Sequence, residues 1–164
     1  MPTPAWYDYA IVRVVPRVER EEFVNVGVIV SCESARWLQA RIELDEARLR
    51  AFDPTLDLEV LRGHLAAIPR ICAGAADAGP IAALPQRARF HWLTAKRSTI
   101  VQTSPVHRGQ CADPAAAIEH LLARMVRAAG GAPGSGPRRA GAAAGHAPGW
   151  MARYAFNPEA RDRP

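Results

Sequence analysis

The chain has 164 residues, 49% of them hydrophobic and 23% charged, enough apolar material for one domain with its own core. Three scattered cysteines, Cys32, Cys72 and Cys111, have no CxxC spacing, which argues against a disulfide framework or a zinc ribbon and fits reduced thiols in a cytoplasm. The formal charge is +5, but residues 1–127 hold 16 Lys and Arg against 14 Asp and Glu while residues 128–164 hold five against two, so net charge alone is weak evidence for nucleic-acid binding.

The opening residues carry Asp8 and Arg13 with no basic stretch before the apolar part, so they do not read as a secretory signal. No apolar run approaches the ~18 residues that a membrane-spanning helix needs. A soluble cytoplasmic protein without membrane contact is expected.

Tyr7 to Val15 and Phe23 to Cys32 are rich in β-branched and aromatic residues and read as strands. In the second, Val24, Val26, Val28 and Val30 form one apolar face by strict alternation, and Ile29 adds apolar character to the other, as in a strand covered on both sides. Arg36 to Leu44 alternates cleanly, and the short polar connections favour a three-stranded antiparallel meander.

After Leu44 the period turns helical. Asp45 is placed to cap a helix through Phe52, and Asp53-Pro54 to open a second whose stripe is Leu58, Leu61, Leu65 and Ile68, ended by Pro69 and the Gly74 to Pro80 stretch. Gln86 to Ala95 reads as a helix, Ser98 to Ser104 as a fourth strand, and Asp113-Pro114 as the start of a helix striped by Ile118, Leu121, Leu122, Met125 and Val126 and stopped at Gly130-Gly131. The expected fold class is α+β: an antiparallel sheet of three to four strands with helices packed on it, in the order βββ-ααα-β-α.

From Gly130 to Gly149 every residue is Gly, Ala, Pro, Arg, Ser or His, a composition that does not repay its ordering entropy. The expected organisation is therefore a domain over 1–127, a flexible linker over 128–149 and a tail over 150–164. The tail regains Trp150, Tyr154 and Phe156, which are either part of a plain terminus or a short docking motif for a partner.

The common catalytic and nucleotide-binding signatures are missing: GxxxxGK[ST], GxGxxG, HExxH and GxSxG do not occur. No catalytic residue, cofactor or metal is assigned. The densest polar stretch is Lys96 to His107, and its Arg97, Ser98, Thr99, Gln102, Thr103 and His107 are the residue types that hold a phosphate or carboxylate. The same pattern also describes an edge strand whose polar side chains face water. On a helix His107 and Cys111 would share a face and could hold a metal or form a thiolate pair, but Gly109 between them disfavours a helix there. Arg13 interrupts an apolar strand, so it either pairs with Glu43 or another acid, or points into a cleft beside Arg97 or Gln102.

Taken together, YDYAIVRVVPRVEREEFVNVGVIV, ARIELDEARLRA, IPRICAG and LPQRARFHWLTAKRSTIVQTSPVH resemble the bacterial family catalogued as domain of unknown function 3037, over about Tyr7 to Arg127. The resemblance implies no activity, cofactor or catalytic residue. It does imply small cytoplasmic proteins encoded beside HipA-like serine/threonine kinases, and hence a non-catalytic accessory or regulatory module acting with such a protein partner. A small enzyme or anion-ligand binder built on Arg13 and the polar strand is the alternative, and nucleic-acid binding comes third.

Overall fold

The structure, a computed structural model, describes residues 3–128. The stretch from 129 onward, with Trp150, Tyr154, Phe156 and the Gly130-Gly131 pair, lies outside the described residues. Strands β1 (Ala5–Val14), β2 (Val24–Cys32) and β3 (Trp37–Ile42) form the expected antiparallel meander. Helices α1 (Glu46–Phe52), α2 (Leu58–Ala73) and α3 (Gln86–Thr94) follow, then β4 (Val101–Thr103), β5 (His107–Cys111) and α4 (Pro114–Met125). Among the described residues, no helix is long and apolar enough to cross a membrane.

The sheet is antiparallel and has five strands, one more than the sequence pattern predicts. Its order is β3-β2-β1, and the far side of β1 is shared by two short strands, β4 against Val12–Val14 and β5 against Ala5–Tyr9. The segment after Pro105 is mostly polar and lacks alternating hydrophobic residues, so β5 leaves little periodic signal. Ser104 bridges the gap between these strands: its N–H donates to the Ile11 carbonyl at 2.8 Å, and its Oγ accepts from the Ile11 N–H at 2.9 Å. Pro105, which has no N–H to offer a ladder, follows at once.

The four valines of β2 do not share one face. The register between β1 and β2 slips by one residue, Val12 facing Gly27 while Arg13 faces Asn25, and this β-bulge reverses the alternation. Val24 and Val26 therefore join the core under α1, α2 and α3, while Val28 and Val30 join the core under α4. The sheet is thus the middle of three layers. Gly27 sits at the bulge, where a Cβ would lie 2.7 Å from the Arg41 carbonyl oxygen and 2.6 Å from Ile42 Cδ1.

Helix ends follow local chemistry with two shifts from expectation. Asp45 caps α1, accepting from the Arg48 N–H, and Asp113 caps α4, accepting from the Ala115 N–H, both at 3.0 Å. Asp53 closes α1 instead of opening α2, its carboxylate being taken by the Thr55 N–H and hydroxyl, and Asp57 caps α2 through Glu59 and Val60. Pro69 is carried inside α2, whose buried Ile71 and Cys72 hold the last turn against the core until Gly74, at φ 68, ends it.

Candidate functional site

Arg13 is the odd residue of β1, with buried Val12 and Val14 on either side of it. Across the sheet it faces Gln102 of β4, so the strand pairing brings the N-terminal arginine to the polar segment some ninety positions later. A cleft of about 530 Å³ opens there. Three pieces of chain make it: the β1–β2 connection, with Glu21 and Phe23; the α3–β4 loop, with Lys96, Arg97 and Ser98; and β4 itself, with Gln102 and Thr103.

Of the two roles open to Arg13, the structure takes the cleft. Glu43 is held by Arg127, at 2.7 and 2.8 Å, and by Arg41 at 3.2 Å, and no carboxylate among the described residues pairs with Arg13. Its guanidinium instead lies 4.0 Å above the Phe23 ring. The Arg13 Nε is buried without a hydrogen-bond partner among the described residues. Burial lowers the Arg13 pKa from its ordinary value, yet a guanidinium remains protonated, so the cleft keeps a partly desolvated cation.

The other cations divide. Arg97 donates to the Leu93 and Trp92 carbonyls at 3.3 and 2.5 Å and stacks 4.3 Å from the Trp92 ring, so it caps the C-terminal end of α3 and its charge is partly absorbed there. Lys96 is exposed and has no hydrogen bond or ion pair among the described residues. Glu21 is the carboxylate that lines the cleft, on a left-handed turn at φ 55, against three cations.

Arg13, Arg97, Ser98, Gln102 and Thr103 are therefore brought to one concavity. Thr103 is tied down, its hydroxyl donating to the Thr94 carbonyl at 3.4 Å, and Gln102 donates its side-chain amide to the Thr99 carbonyl at 2.9 Å. Thr99 does not line this cleft; its hydroxyl donates to the Val101 carbonyl, which holds the loop. His107 lies on β5 beside Tyr9, their ring centres 5.4 Å apart, and takes no part in the cleft. His107 and Cys111 lie on one extended strand, where four residues span roughly 13 Å, so they form no pair. Among the described residues no group of three or more His, Cys, Asp or Glu could hold a metal ion.

Phe23 and Glu21 were not legible as site residues. They arrive through the turn of the β1–β2 hairpin, and an aromatic at a strand start signals packing before it signals a cation's partner. The sequence signals that did lead to the cleft were Arg13 and the polar run from Lys96 to Thr103.

No curated protein and no solved structure matches the chain. A family model described as Protein of unknown function (DUF3037) matches residues 9–126, which contain Arg13 and the polar segment and so every residue that lines the cleft, and the chain belongs to that family.

Proposed function

We propose that the domain is a non-catalytic binding module whose cleft around Arg13 recognises an anionic group, a phosphate or a carboxylate, on a partner molecule. The observation that carries this reading is Arg13 itself: a partly buried cation whose Nε has no hydrogen-bond partner and which no carboxylate among the described residues pairs with, although Glu21 lines the same cleft. Burying such a charge without a counter-ion is costly, and an incoming anion removes that cost. Arg13 supplies a planar fork, Lys96 an unengaged ammonium, and Ser98 and Gln102 neutral polar groups.

The accessory role implied by the family resemblance belongs to the same proposal, with a HipA-like kinase or another protein as the carrier of the anion. A cytoplasmic setting is part of it too, supported by three cysteines that are all free thiols. Titration of the full chain with inorganic phosphate and a panel of phosphorylated and carboxylated metabolites, followed by NMR shifts and thermal stability, tests the reading. A ligand at 100 times its dissociation constant raises stability by about 2.7 kcal/mol. Arg13→Gln and Lys96→Gln abolish or weaken that response. A flat panel on the unaltered chain overturns the proposal, and co-purification of a kinase that survives Arg13→Gln removes the cleft from its recognition.

A further inference from the structure

The cleft does not stop at Arg97. A second concavity, of about 360 Å³, adjoins it, and Arg97, Gln102 and Thr103 line both. Its character is different: Ile68 and Ile71 of α2, Leu93 of α3, and Ile100 and Val101 at the start of β4 line it, with Trp92 41% exposed beside them. A cation lacking its counter-ion and an uncovered apolar groove thus share a wall. One molecule with a charged end and an apolar body would answer both at once, since each surface is unfavourable in water for the opposite reason.

We infer, resting on the reading of the Arg13 cleft as an anion site, that the ligand is an amphipathic anion: a phosphate or carboxylate head held at Arg13 and Lys96, joined to a medium-length alkyl or acyl chain that lies in the groove. The aliphatic lining favours a chain over a stack of rings. The Trp92 face is already occupied by the Arg97 guanidinium, so the indole has one side fewer to offer a flat aromatic ligand.

The test is calorimetric titration of the full chain with inorganic phosphate and with alkyl phosphates from ethyl to decyl, each below its micelle-forming concentration. Affinity rises about fourfold for each methylene added until the groove is filled. Alkanols of the same length bind far more weakly, because they lack the head. Ala67 is exposed on α2 and lines the groove, so Ala67→Phe flattens the rise while leaving inorganic phosphate binding unchanged. A parallel series of alkanoates decides between the two heads, and preference for either supports the proposal. Equal affinity along the alkyl series, with inorganic phosphate still bound, overturns this inference and leaves the cleft reading standing. Binding of neither phosphate nor its alkyl esters overturns both. Decanol binding as tightly as decyl phosphate separates the groove from the cation and also defeats the inference.

Discussion

The Arg13 guanidinium lies 4.0 Å from the centre of the Phe23 ring, and among the described residues that ring is the partner the structure gives the cation in place of a carboxylate. The arrangement separates stability from binding. Losing the stacking costs ~0.5–1 kcal/mol, whereas removing an unsatisfied buried donor returns a comparable amount, ~1–3 kcal/mol. Arg13→Leu is therefore expected to unfold in urea at an unchanged or slightly higher midpoint while losing phosphate binding. A drop of more than ~2 kcal/mol would show that the cation is structurally paired after all.

Ser104 is 3% exposed and receives the Ile11 N–H on its hydroxyl, standing in for a strand carbonyl where the edge changes from β4 to β5. Ser104→Ala leaves that buried N–H without an acceptor and is expected to cost ~1–3 kcal/mol. Amide hydrogen exchange reads the effect directly: the Ile11 amide loses protection in the variant, and unchanged protection would contradict the assignment.

Gly27 is required by contact, since any Cβ there meets the Arg41 carbonyl oxygen and the Ile42 side chain inside 3.0 Å. Ile42 can move its end, but the backbone oxygen moves only with β3. Gly27→Ala is expected to destabilise by ~1–3 kcal/mol, as overpacking does. Chemical denaturation measures it, and a neutral result would mean that the bulge between β1 and β2 relaxes.

Acid should loosen the junction between the sheet and the chain after α4. A hydrogen bond from Arg127 holds the Glu43 carboxyl below the usual carboxylate range, with the Arg127 and Arg41 charges adding to it and burial opposing. Hydrogen bonds from Arg127 and Arg41 do the same for Glu119. Folded pKa values below the unfolded ones contribute stability that is present above the ordinary carboxylate range and is lost as pH falls through the depressed values. The loss is modest because these side chains are only partly buried and solvent screens the pairs. Urea midpoints measured from neutral to acid pH should fall, and Arg127→Gln should flatten that fall.

How far the site was legible follows from where its parts lie. Arg13 was conspicuous as a charge inside an apolar strand, and Lys96 to Thr103 as a polar run, because each breaks a local pattern. Their meeting stood in the sequence as one of two alternatives for Arg13, and local pattern could not choose it over an ion pair, because the choice depends on β4 pairing with Val12–Val14 and not with another strand. His107 shared the polar run but falls beyond Pro105 on a different strand, so composition grouped what the chain's turn at Ser104 separates.

Local order was set by the sequence itself: alternation wrote the meander, Asp45 and Asp113 marked the starts of α1 and α4, and the apolar stripes made α2 and α4 amphipathic. These are decisions within a few residues, and the chemistry that makes them is local. The tertiary structure alone decided which face each valine of β2 serves, since one extra residue in a ladder reverses every side chain beyond it. It also decided the fate of Arg13: Glu43 was captured by Arg127 and Arg41, and the arginine was left to a cleft between distant segments. Competition for a counter-ion is settled only by distance in three dimensions.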